Sequence, residues 1–123
     1  MTSVTITVSL PHKSLSPNAR SHWRAVAKHK KAAKIEALLA VLKRIAIRAD
    51  AWTHARTTIR WYTKTISHPD PDNALSSLKA TFDGIRASGL LADDNNLSHD
   101  AIVFEKDAKN PRVEITVTRE GER

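Results

Sequence analysis

Thr57-Thr58-Ile59-Arg60-Trp61-Tyr62-Thr63-Lys64-Thr65-Ile66-Ser67-His68-Pro69-Asp70-Pro71-Asp72-Asn73 contains the change of period that decides the fold. From Thr57 to Thr65 the side chains alternate. Ile59, Trp61 and Thr63 take one face and Thr58, Arg60 and Tyr62 the other, which is the two-residue repeat of a half-buried strand. His68 to Asn73 ends it with a turn. Proline after Asp70 pushes that residue out of the helical region and puts Pro71 at the first helical position, so Asp70 reads as an N-cap. Leu75, Leu78, Phe82 and Ile85 then share one face of a helix expected from about Asp72 to Ser88, with Gly89 as its left-handed C-terminal cap.

Upstream, Val4, Ile6, Val8 and Leu10 alternate with threonine and serine as a first strand, and Pro11 opens a loop to Asn18. Ile35, Leu38, Leu39, Leu42, Ile45 and Ala46 recur at three- and four-residue spacing, the expected buried face of a long helix. Trp23, Val26 and Ala27 either extend that helix or form a separate basic turn. Downstream, Ser98 to Asp107 and Arg112 to Arg119 read as two strands joined at Ala108 to Pro111 in a closing hairpin, with Val113, Ile115 and Val117 inward. The order β-α-β-α-β-β predicts a single α/β (α+β) domain over residues 1–123, with two main helices on a mixed sheet of about four strands.

Composition narrows the chemistry. A chain of 123 residues supports one core. The lack of cysteine removes disulfides, thiolate zinc sites and a thiol nucleophile, and suits a reducing compartment. No basic segment followed by an apolar one opens the chain, and Glu36, Lys43 and Arg44 interrupt its longest apolar stretch. The expectation is a cytoplasmic chain with neither signal peptide nor membrane span.

Charge is lopsided. Residues 1–60 hold twelve Lys and Arg against two acids, and residues 61–123 hold eight against eleven. A basic half attracts a polyanion, while an acidic cluster beside it repels one unless a cation intervenes. Asp70 and Asp72 at a helix start, with Asp93 and Asp94 beyond its end, supply the hard oxygen ligands that Mg²⁺ takes. Such an ion can activate water and stabilise charge on a phosphate oxygen. The plainer alternatives are two aspartates that start a helix and a solvated polar turn. Counted at 100° per residue, Lys79 and Asp83 share a stripe with Asp72, so Lys79 can face a phosphate or simply pair with Asp83. The six histidines show no zinc spacing, and no serine sits in a nucleophile elbow. Arg20-Ser21-His22-Trp23-Arg24, with Lys28, Lys30, Lys31 and Lys34, is the expected DNA surface. Trp23 can stack on an exposed base at a junction, but an aromatic that anchors a loop to the core is the commoner case and the expectation here.

The run from Asp70-Pro71-Asp72-Asn73 through Leu78-Lys79-Ala80-Thr81-Phe82-Asp83, then Gly89-Leu90-Leu91-Ala92-Asp93-Asp94, resembles the RusA family of crossover-junction endodeoxyribonucleases. The resemblance is specific over Asp70 to Asp94 and looser in the flanks. It implies a homodimeric Holliday-junction resolvase acting in DNA recombination and repair, of a kind common in prophages. It further implies a Mg²⁺ centre (Mn²⁺ substituting) on Asp70, Asp72 and Asp94, a functional Lys79, and supporting acids Asp83 and Asp93. Arg20, Arg24, Lys28, Lys30 and Lys31 are the expected DNA contacts. A nuclease preferring flaps or forks and a non-catalytic DNA-binding protein are the alternatives.

Overall fold

The protein's structure, a computed structural model, describes residues 2–20, 22–45, 51–92 and 96–120. Strand β1 (Ser3–Val8) leads through a short 3₁₀ turn (Lys13–Leu15) to helix α1 (Trp23–Arg44). Strand β2 (Ala55–Thr63) is followed by helices α2 (Pro71–Ser77) and α3 (Lys79–Ala87), then strands β3 (Leu97–His99), β4 (Val103–Lys106) and β5 (Arg112–Arg119). The α/β class and the element order agree with the sequence pattern. Trp23 begins α1, so the upstream apolar residues extend that helix.

The sheet runs β1-β5-β2-β3, with β4 continuing the β3 edge along β2. Strand β5 is antiparallel to both β1 and β2, while β3 and β4 run parallel to β2. The expected closing hairpin is therefore absent, and its first arm is two short strands. Burial explains this. Val113, Ile115 and Val117 are almost fully buried and claim a central slot with partners on both sides. The β4 segment exposes Val103 and stays at the edge. Rows of like-facing side chains cross the sheet, Ile6–Ile115–Ile59 and Val8–Val113–Trp61 among them, and register is held because a one-residue slip would turn every such row to solvent.

All three helices contribute to one core with this face. Leu78, Phe82 and Ile85 point inward as the spacing predicts, but Leu78 interrupts the helix and divides it into α2 and α3. Gly89 has φ +89° and forms the left-handed turn beyond α3.

The buried face of α1 is not the predicted one. Ile35, Leu39 and Leu42 are 42–51% exposed, whereas Ala37 and Val41 are buried; Ile45 is buried as expected, and Ala46 lies outside the described residues. The cause is close packing against α3. A Cβ built on Gly84 would lie 2.2 Å from the Lys34 carbonyl oxygen and 2.9 Å from the Ala37 Cβ. Helices in such contact must meet through small residues, which turns the bulky stripe outward. Trp23 is 68% exposed and anchors no loop to the core; the Arg24 guanidinium lies 5.2 Å from its ring centroid. Among the described residues no helix is long and apolar enough to cross a membrane.

Candidate nucleic-acid and metal site

Asp70 caps α2 as expected: its Oδ2 accepts a hydrogen bond from the Asn73 N–H at 3.2 Å, with Pro71 in the first turn. Its other carboxylate oxygen remains available. Asp72 follows in the first turn, exposed, with no hydrogen-bond or ion-pair partner among the described residues. The capping role is thus real for Asp70, while Asp72 has only the favourable helix dipole to explain it.

Asp93 and Asp94 lie outside the described residues. The residues bracketing them are tied down: Ala92 N–H donates to the Trp52 carbonyl at 2.9 Å, and Ala55 N–H donates to the Asn96 carbonyl at 3.2 Å. Trp52 and Ala55 stand at the start of β2, whereas Asp70 follows its end. Strand β2, nine residues long, spans roughly 26 Å at 3.3 Å per residue. Among the described residues no group of three or more His, Asp or Glu side chains could hold a metal ion. Asp70 and Asp72 contribute two carboxylates, and Mg²⁺ bound to substrate phosphate uses one or two with water completing the octahedron. The donor set fits that ion.

The break at Leu78 cancels the helical count from Asp72 to Lys79, because a single 100° progression no longer runs between them. Lys79 instead faces α1. A cleft of about 530 Å³ is lined by Lys30, Lys31 and Lys34 of α1, by Lys79 and Asp83 of α3, and by Ser76 and Ser77. Asp72 is not among its lining residues, and Lys79 and Asp83 form no ion pair with each other. The structure therefore unites Lys30 and Lys31 with Lys79 but leaves Arg20, Arg24 and Lys28 outside the cleft.

Lys79 and Asp83 also line an adjoining cavity of about 190 Å³ with Leu75, Phe82, Leu97 and His99. His99 pairs across the ladder with Thr57, whose Oγ1 is 2.6 Å from Nδ1. Thr57 is fully buried, and a buried hydroxyl must place its proton. Its side-chain partner is Nδ1, and which of the two donates depends on the imidazole tautomer. Burial holds the His99 imidazole below its ordinary range, which keeps it neutral at pH 7. Sequence reading passed over His99 because nothing in its spacing links it to Lys79. It grouped Lys34 only with a general basic segment.

Charges are segregated. The ion pairs Arg60–Glu105, Arg56–Asp100 and Arg112 with Asp107 and Glu114 lie on or beside the sheet face turned away from the helices. Arg112 also stacks 3.9 Å over the Tyr62 ring, and its guanidinium holds the Asp107 carboxyl below the usual range. No cation of α1 has a carboxylate partner among the described residues. That helix also begins without an acid in its first turn.

No protein-family model matches the chain. It is 32% identical over 121 residues to an uncharacterized protein of Xylella fastidiosa, across 92% of this chain and 74% of that protein.

Proposed function

The chain belongs to the family of that Xylella fastidiosa protein, and we propose that it is a Mg²⁺-dependent endonuclease that hydrolyses phosphodiester bonds in branched DNA, Holliday junctions foremost. The observation that carries the reading is the segregation of charge. Arg56, Arg60 and Arg112 of the sheet are neutralised, while the α1 cations and Asp72 are left without ion-pair partners among the described residues. An unpaired basic surface attracts a polyanion, and carboxylates on the same chain suit a divalent ion. When bound, that ion supplies an activated water and offsets the negative charge of the transition state. Asp70 and Asp72 would hold it, and Lys79 would hold a phosphate oxygen. The cleft brings α1 lysines to the same strand.

The resemblance adds Asp94 to this centre, supplied by the same chain or by a second copy in a homodimer. The uncovered Ile35, Leu39 and Leu42 of α1 offer apolar surface for such a homodimer. A cytoplasmic role in DNA recombination and repair goes with this reading.

Incubating a four-way junction with the protein tests it. Paired nicks that need Mg²⁺ or Mn²⁺, and that vanish in Asp72→Asn while junction binding persists, are expected. Mixing Asp72→Asn with Asp94→Asn chains restores cutting only where the centre is shared between copies. A salt-sensitive gel shift with no cleavage in any metal would replace the nuclease by a non-catalytic DNA-binding protein. Preference for flaps or forks in the same assay would change the substrate and keep the chemistry.

A further inference from the structure

We infer that the cleft between α1 and the start of α3 seats the phosphodiester backbone of a DNA strand, held by Lys30, Lys31, Lys34 and Lys79 and continued past Asp83 to His99. The inference rests on the nucleic-acid half of the proposed function and is independent of its metal chemistry.

Four ammonium groups and one carboxylate line this cleft, and none of the lysines has an ion-pair partner among the described residues. Like charges gathered on two facing helices repel one another until an anion enters, so the arrangement costs stability in the free protein. Ordinary solvated lysines need not converge. Here three come from one side of α1 and the fourth from α3, across a helix contact fixed by Gly84. Lysine ammonium groups are compact donors suited to phosphate oxygens, and Ser76 adds a hydroxyl to the same wall, whereas the buried Ser77 hydroxyl donates to the Ala74 carbonyl.

Shape favours a strand over a small free anion. The cleft shares Lys79 and Asp83 with the second cavity, so the two adjoin at the beginning of α3. Leu15 lines the first part, while Leu75, Phe82 and Leu97 line the second. These are surfaces for sugars and bases, which inorganic phosphate lacks. His99 lines the far side of the second cavity, with Nδ1 engaged by Thr57 and the other ring nitrogen left for a ligand. Lys43 and Arg44 lie elsewhere on α1, in a groove with Glu36, Ile6 and Thr7, and serve as an internal control.

The test is fluorescence anisotropy with labelled single-stranded and duplex DNA in EDTA, over a salt series, on the full chain. Each lysine that neutralises a phosphate contributes about 0.7 to the slope of log K against log salt for a single strand and about 0.9 for duplex. Changing Lys30, Lys31 and Lys34 together to glutamine is expected to lower the single-strand slope by about 2, while Lys43→Gln leaves it unchanged. His99→Gln weakens binding without altering the slope, as removal of an uncharged group must. Circular dichroism and urea midpoints establish that each variant is folded. Inorganic pyrophosphate serves as the free-anion probe and is expected to compete only weakly with the strand. An unaltered slope in the triple variant, an equal loss in Lys43→Gln, or pyrophosphate filling the cleft while the strand stays bound would each overturn the inference. Strand binding through these lysines by a protein that never cuts would uphold the cleft and refute the nuclease. Cutting by a protein whose lysine variants bind like wild type would do the reverse.

Discussion

Replacing Gly84 with alanine adds one methyl group at the point where α3 meets α1. In an isolated helix the change is favourable by about 1 kcal/mol, because alanine loses less backbone freedom than glycine. Here the new carbon would stand 2.2 Å from the Lys34 carbonyl oxygen and 2.9 Å from the Ala37 Cβ. The first neighbour is backbone and cannot rotate aside, so the helices must separate by about an ångström to restore van der Waals distance. Overpacking typically costs about 1–3 kcal/mol, and an immovable neighbour puts Gly84→Ala at the upper end or slightly beyond. Subtracting the helix gain leaves a net loss of about 2 kcal/mol. Urea unfolding monitored by circular dichroism reads this as a lowered midpoint at unchanged m-value. Adding Ala37→Gly should recover only part of the loss, since the carbonyl clash remains and a second glycine enters a helix. A neutral or stabilising Gly84→Ala would refute the close helix contact and, with it, the explanation for the outward-facing stripe of α1.

Asp70→Asn keeps the α2 cap and should leave stability nearly unchanged while abolishing metal-dependent cleavage, whereas Asp70→Ala should also cost about 1 kcal/mol in urea unfolding. Equal loss of stability in both would show that the charge, not the cap, holds the helix start. Burial holds His99 below its ordinary range, so between pH 7 and about 5.5 the unfolded chain, whose histidine titrates near 6.5, binds more protons than the folded one. Stability should therefore fall as pH drops through that window, and His99→Gln should flatten the urea midpoint profile. His29, lowered by desolvation and by His12 and Lys28, leaves a residual slope. Leu39→Glu should leave the urea midpoint of the monomer unchanged and shift sedimentation from dimer to monomer; no shift would remove α1 from the dimer contact.

The alternation at Val4 to Val8 and Thr57 to Thr63, the Asp70-Pro71 helix start and the Gly89 cap were all legible along the chain, because each depends on the dihedral preferences or side-chain period of neighbouring residues. Separate placement in space was not. Whether Val113, Ile115 and Val117 pair with the strand before them or slip between β1 and β2 depends on how much apolar surface each slot buries, a property of the assembled sheet. The inward face of α1 followed the same rule. Hydrophobicity favoured Ile35, Leu39 and Leu42, but Gly84 on a distant helix allowed an approach that only small side chains fit. Aspartates worth suspecting could be named from sequence, whereas the lysine cleft could not, since Lys30 and Lys79 meet only through that helix contact. Local periodicity records what each segment can become; tertiary packing selects which faces touch, through shape and distance that no single segment encodes.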